Sequence, residues 1–286
     1  MHDAVAMLSR PAREAYERGE LADIVYADDT LLLGSCSKHV EELLRAVAFS
    51  GRAYGLELHQ GKFQLLQVRC ASTVRNLSLD SIPSTPSLVY LGATLAADGR
   101  VGSELSRRIG MAKGDFRALS KVWRHSSLLR ARKLEIYRAL IESRLLYGLS
   151  TACFTKAQLR QLDGFQAKCL RSILGIPPSF VSRVSNACVR QQAECKSSSS
   201  LLRERQVSFV GKVLRAGSDS PLRKVSFSPG SLQPATSRYV RRVGRPQQEW
   251  IPNVLPHAFQ AAGGAQHLEA AAQNQLQWKR LSKHVV

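Results

Sequence analysis

The chain has 286 residues, 41 Lys+Arg against 22 Asp+Glu, a formal net charge of +19, and 44% hydrophobic residues. That apolar share excludes a disordered chain, and the length suffices for one large or two ordinary cored domains. The positive excess argues for a polyanionic partner, either nucleic acid or an anionic membrane surface.

Reading from the first residue, Ala4, Met7, Leu8, Ala12, Ala15 and Tyr16 recur at helical spacing up to Gly19. The runs LADIVY and TLLLG each have strand length, and with the Ala-Asp-Asp between them they predict a β-hairpin. A helix follows over 38–53, with Ser37 as its cap, Val40, Leu43, Leu44, Val47 and Ala48 as its apolar stripe and Gly55 beyond its end. Short strand-like pieces come next: LEL, FQLLQV and SLVYLGATL. From Gly102 the pattern turns helical, with helices expected over 103–123, 128–147, 155–174 and 200–215. Thr155 reads as an N-cap, Gly175 as a stop. Residues 217–256 are rich in Ser, Pro and Arg and read as a linker, and an Ala- and Gln-rich helix is expected over 264–281. The expected class is α+β, in three pieces: 1–100 with the sheet, 101–216 basic and helical, and 217–286 linker and last helix.

No apolar run approaches the ~18 residues of a membrane helix, so no membrane partner is expected. The opening MHDAVAMLSRPAREAYERGE places charges before any apolar core and is no signal peptide. Six cysteines lie mostly in apolar segments without a Cys-x-x-Cys pair, which reads as reduced thiols in an intracellular protein of nucleus or cytoplasm. A zinc site from Cys188, Cys195, His257 and His267 fits no standard finger spacing, so no zinc is expected.

The charge is unevenly placed. Residues 1–60 carry 6 Lys+Arg and 10 Asp+Glu, a net of −4, and residues 61–286 carry the remaining +23. Such asymmetry suggests a cation site near the start and an anion grip afterwards. Asp28 and Asp29 are adjacent at the expected hairpin tip. Turns commonly hold Asp, but two carboxylates side by side repel unless a cation neutralises them. Mg²⁺ takes one or two carboxylates together with substrate phosphates. The flanking apolar runs suggest a turn projecting from a buried sheet. Over 101–144 there are 11 basic residues and 4 acidic ones, too few acids to pair the helix charges. Arg107, Arg108, Lys113, Arg117, Lys121 and Arg124 are therefore candidates for nucleic-acid backbone contact, as are Arg241, Arg242 and Arg245 beside Tyr239.

Taken in order, these words resemble the reverse transcriptases of non-LTR (LINE-type) retrotransposons. Tyr-Ala-Asp-Asp at 26–29 resembles that family's metal-binding palm hairpin. GLELHQGKFQLL (55–66) is similar to its next motif, matching at Gly55, Leu56 and Lys62, with His59 where the family has Asn. SLVYLGATLAADG (87–99) resembles the Tyr-Leu-Gly turn at the primer end. IYRALIESRLLYG, LDGFQAKCLRSILGIP, VSFVGKVLRAG and GRPQQEW are similar to later blocks, so the likeness spans about residues 1–252.

The resemblance implies a partial palm, a helical thumb, and an RNA-directed DNA polymerase that uses Mg²⁺, an RNA template, a DNA primer and dNTP. It implies that Asp28 and Asp29 are metal ligands and that Lys62 faces the leaving pyrophosphate. Tyr26 and Ala27 would meet the primer end or nucleotide, and Tyr90, Leu91 and Gly92 the primer backbone. The family also uses an upstream Asp and a nucleotide-binding segment. Only 25 residues precede Tyr26. Asp3 there falls in a helix pattern and Asp23 in the hairpin strand. The chain is therefore expected to be the rear part of such an enzyme, incomplete for catalysis, with a non-catalytic nucleic-acid binder as the alternative.

Overall fold

The structure, a computed structural model, describes residues 1–235 and 249–284. The class is α+β, mainly helical with small sheets, and the chain divides into two units, Met1–Arg100 and Val101–Val286.

In the first unit the N-terminal helix pattern is cut in two: α1 is His2–Ala6 and α2 is Arg10–Glu17. Pro11 explains the cut, because a proline fits the first turn of a new helix but not the middle of an old one. Strands β1 (Leu21–Tyr26) and β2 (Asp29–Gly34) then form an antiparallel hairpin, and α3 (Ser37–Ala53) packs against it. Cys36 occupies the N-cap of α3 with no side-chain bond, and Ser37 is its first residue. Ala4, Leu8, Ala12, Ala15, Leu21, Leu43 and Ala46 make this unit's buried cluster. The rest of the unit is sparse in regular structure. It holds a 3-10 turn (Gln60–Lys62), a short parallel pair of β3 (Leu65–Leu66) with β4 (Ser84–Thr85), and a second hairpin of β5 (Ser87–Tyr90) with β6 (Ala93–Ala96). Residues 56–58, LEL in the sequence, form no strand. Among the described residues the six strands make three separate two-stranded sheets.

The second unit is helical. It begins with α4 (Gly102–Ala118) and α5 (Ser120–Arg124). Then α6 (Arg130–Ile136) runs through a π-helical turn (Tyr137–Glu142) into α7 (Ser143–Leu145), an irregularity inside the single helix that periodicity predicts. Next, α8 (Lys156–Leu174) starts at a complete capping box, Thr155 with Gln158, and stops at Gly175 with φ 71°. Two short helices, α9 (Ser179–Ser182) and α10 (Asn186–Gln192), lead to α11 (Ser198–Arg215).

Beyond α11 the expected linker differs in part from the structure. A short α12 (Pro221–Ser226) lies inside it, and α13 (Trp250–Ala262) begins before its expected end. Pro252 is tolerated there because it falls in the first turn, where the amide would have no helical partner. The last predicted helix is broken into a 3-10 turn (Ala265–His267), α14 (Leu268–Gln273) and α15 (Gln275–Leu281).

Two apolar clusters organise this unit, and α11 joins them. Leu202 near its start belongs to the cluster of Leu105, Tyr137, Ile141, Leu162 and Leu170. Val207, Val210, Val213 and Leu214 belong to the cluster of Val254, Ala258, Leu268 and Trp278. Trp278 seats its indole on Gly211, where an added Cβ would fall 2.2 Å from the ring, and its Nε1 donates to the Val207 carbonyl at 3.0 Å.

Candidate functional site

The hairpin register pairs Tyr26 with Asp29, so Ala27 and Asp28 form a two-residue turn. Such turns need positive φ at their first central residue, and Ala27 has φ 52°. An L-residue held there stores about 1–2 kcal/mol, which glycine would avoid. Tyr26, Ala27, Asp28 and Asp29 are all exposed at the tip.

The strands leading to the tip are not buried on both faces, contrary to the expectation of a turn projecting from a buried sheet. Leu21 is buried and Leu32 packs against the same cluster, but Ile24 is 46% and Tyr26 65% exposed. Exposure rises along β1 towards the tip, from buried Leu21 to Ile24, Val25 and Tyr26 in succession, so the cover lies over the end of the ribbon away from the turn. Between the layers, the Tyr16 hydroxyl donates to Asp23 Oδ1 at 2.6 Å. That bond, then burial, pushes the phenol up to about 12. Asp23 is thus a structural acceptor within the strand.

The second hairpin reaches the first. Tyr90 Oη donates to the Ile24 carbonyl at 3.1 Å, two residues from the Tyr26 tip. Its turn residues Leu91 and Gly92 have φ 48° and 74°. Positive φ at both central positions is the type I′ pattern, which the Leu-Gly dipeptide meets with glycine at one place only. Of the predicted site residues, Tyr26–Asp29 share one tip, and Tyr90 joins that hairpin through its hydroxyl. Lys62 lies elsewhere, exposed at the end of the 3-10 turn. Among the described residues no ion pair joins Lys62 to either aspartate.

The donor set limits what the tip can hold. Among the described residues no three His, Cys, Asp or Glu side chains group closely enough to share a metal. Two exposed neighbouring carboxylates suit a Mg²⁺ held jointly with phosphates and water, and fall short of a cage for a resident ion.

The basic residues of the second unit divide sharply. Arg108 is 4% exposed, gives Nε to Glu104 Oε1 at 2.6 Å, and lies over the Tyr147 ring at 4.6 Å. Arg107 holds the same carboxylate from the rim, with Nε 2.8 Å from Oε2. The expectation that Arg108 grips a phosphate is corrected: a buried guanidinium on a buried carboxylate is turned inward. Glu104, three and four residues before the two arginines, carried that signal in the sequence. Likewise Lys133 is buried on the Trp123 carbonyl at 2.8 Å, and Arg138 donates to the Ala193 and Glu194 carbonyls.

Lys113, Arg117, Lys121 and Arg124 behave differently. All four are exposed, and none is in an ion pair among the described residues. Lys113 and Arg117 lie one turn apart on α4, and Lys121 and Arg124 one turn apart on α5, beyond the break at Leu119. Behind them Phe116 stacks on Trp123 with centroids 4.9 Å apart, and the Trp123 indole donates to the Phe116 carbonyl at 2.7 Å. The row is therefore carried on a packed support. Arg241, Arg242 and Arg245 lie outside the described residues, as does Tyr239.

All six cysteines are free thiols. Burial pushes Cys153 up to about 11 and Cys169 up to about 12, which makes both poor nucleophiles. Among the described residues no helix is long and apolar enough to cross a membrane. Comparison with protein-family models, with curated proteins and with solved structures found no match to this chain.

Proposed function

We propose that this chain grips a template–primer duplex as part of an RNA-directed DNA polymerase of the non-LTR retrotransposon type. The observation that carries the reading is the position of Tyr26-Ala27-Asp28-Asp29 at the tip of a two-residue hairpin turn, both carboxylates exposed to a ligand. The bare row of Lys113, Arg117, Lys121 and Arg124 supports it as a backbone grip that reads no sequence.

In this reading Met1–Arg100 corresponds to part of a palm, and the helices after it to a thumb. The primer 3′-hydroxyl attacks the α-phosphate of the dNTP, the bond to pyrophosphate breaks, and the hydroxyl proton passes to solvent. Asp28 and Asp29 would hold Mg²⁺ jointly with the triphosphate, where the ion neutralises charge on the phosphates. Tyr26 and Ala27 would meet the primer end, Tyr90 would steady the tip through the Ile24 carbonyl, and Lys62 would meet the departing pyrophosphate.

A second reading, a nucleic-acid binder without chemistry, is favoured by the donor count. Asp28 and Asp29 are adjacent in the chain at the tip, and among the described residues no group of three possible ligands includes them.

Two measurements on the full chain separate these. Duplex affinity against salt should be steep, and replacing Lys113, Arg117, Lys121 and Arg124 together by Ala should flatten the log–log slope by about 3–4, near 0.9 per lost phosphate contact. No binding at about 50 mM salt, where such contacts are strong, would refute both readings. Primer extension with Mg²⁺ that disappears in Asp28→Asn supports the polymerase; binding without extension leaves the second reading.

A further inference from the structure

The segment after α8 combines a rigid backbone with an exposed aromatic. Arg171 on α8 is buried and spreads its guanidinium beneath the loop. Nη1 donates to the Pro177 carbonyl at 2.9 Å, and Nη2 donates to the Val184 carbonyl at 2.6 Å and to Asn186 Oδ1 at 3.0 Å. Ser182 Oγ bridges inside the loop, 3.1 Å from the Pro177 carbonyl and 3.3 Å from the Val184 amide. Both ends of the loop are thus tied to one buried cation.

What this scaffold presents is Phe180, 77% exposed, with Val181 beside it also exposed. Arg183 follows, exposed, in the left-handed region at φ 58°. Among the described residues, neither Phe180 nor Val181 packs into either apolar cluster of the unit. A loop that turns its phenylalanine to water, and closes through a strained non-glycine residue, forgoes burial with no return among the described residues.

The surroundings indicate what covers the ring. From Gly164 to Ala193 there is no acidic residue, while Lys168, Arg171, Arg183 and Arg190 are all basic. Arg171 is taken up by the loop's own acceptors, so the cation this loop offers is the exposed Arg183, three residues after the ring in a stretch without a carboxylate. A flat apolar ring beside an exposed arginine matches a ligand with negative charge and flat faces, which describes the unpaired bases and phosphates of a single strand. We infer that Phe180 is a stacking platform for an unpaired nucleobase, with Arg183 on the adjacent phosphate. This rests on the nucleic-acid reading above and adds to it a second, single-strand contact apart from the α4–α5 row.

The test is fluorescence anisotropy on the full chain with three probes of equal length: a single-stranded oligonucleotide, the same strand with abasic sites, and a duplex. Phe180→Ala should weaken the single strand about tenfold, the loss of one base stack, and leave the abasic strand and duplex unchanged. Phe180→Trp should hold or tighten single-strand binding, which also shows that the loop tolerates change. The variant lacking all four cations of the α4–α5 row should lose duplex binding and keep the single-strand preference. Equal affinity of Phe180→Ala and the unmodified chain for the single strand, with duplex binding intact, overturns this inference and leaves the proposed function standing. No binding of any probe by the unmodified chain removes both. A Phe180→Ala loss seen only with an acidic, leucine-bearing peptide overturns it in favour of a protein partner.

Discussion

The two units spend their apolar residues in opposite ways. In Val101–Val286 most long side chains go inward, Tyr137, Ile141, Leu162, Leu170, Leu202 and Trp278 among them, with exposed exceptions such as Leu129, Phe180 and Leu276. In Met1–Arg100 the buried cluster is built largely of alanine and leucine from α1, α2, β1 and α3, and residues 54–100 add only Val74 to the buried set. Ile24, Val25, Tyr26, Leu33, Val89 and Leu95 lie exposed on the two hairpins instead. Stability in the second unit therefore resides in packing, whereas the first unit's hairpins depend on turn geometry and a few hydrogen bonds, Tyr16 to Asp23 and Tyr90 to Ile24 among them. Exposed apolar strands of this kind are also the part of the molecule prone to association.

The sharpest way to break that contrast is Trp278→Ala. The indole fills the space over Gly211 and satisfies the Val207 carbonyl, so its removal should cost about 3–5 kcal/mol, the range for a buried aromatic. Amide exchange should then rise in α11, α13, α14 and α15. Substituting exposed Ile24 and Leu33 by Thr should cost less than about 0.5 kcal/mol, as surface changes do. Similar costs for the two experiments would erase the distinction.

A smaller effect tests the two kinds of basic residue. Glu104→Gln keeps the shape of the side chain and removes the charge that holds Arg107 and Arg108. The buried Arg108 is left on a neutral partner, and the loss should be about 2–3 kcal/mol in a urea titration. Lys113→Ala, on the bare row nearby, should move the urea midpoint hardly at all while lowering nucleic-acid affinity. A Glu104→Gln variant of unchanged stability would mean that Arg108 is held without the carboxylate's charge, by contacts that include the Tyr147 ring.

Much of this was legible residue by residue. The hairpin was readable because two apolar runs of strand length flank a turn word, and α8 because Thr155, Gln158 and Gly175 write both of its ends. Helix α13 was not read, although Ile251, Val254, Leu255 and Ala258 recur at helical spacing, because Pro252 and Pro256 look like breakers when the position of a proline within a helix is unknown. The π turn at 137–142 left no mark on periodicity. At the candidate site the tip was readable and its surroundings were not. An apolar run records that a strand can be buried, while burial itself depends on how many layers the rest of the chain supplies. For the two-stranded ribbon of β1 and β2 the cover reaches Leu21 and Leu32 and leaves the end at the turn outside.

The smallest effect expected is at Ala27. Its φ of 52° is imposed by the two-residue turn between Tyr26 and Asp29. Glycine relieves about 1–2 kcal/mol of strain in the folded turn, and its freedom in the unfolded chain takes back about 0.5–1 kcal/mol. Ala27→Gly should therefore stabilise by about 0.5 kcal/mol, read as slower exchange of the Tyr26 and Asp29 amides, which face each other across the closing pair. The sign matters more than the size. Stabilisation would mean that alanine is held at the tip against backbone preference, as strained residues at ligand-facing turns are. Faster exchange would mean that the alanine methyl contributes contacts worth more than its strain, and the tip would then be an ordinary turn that happens to carry two aspartates.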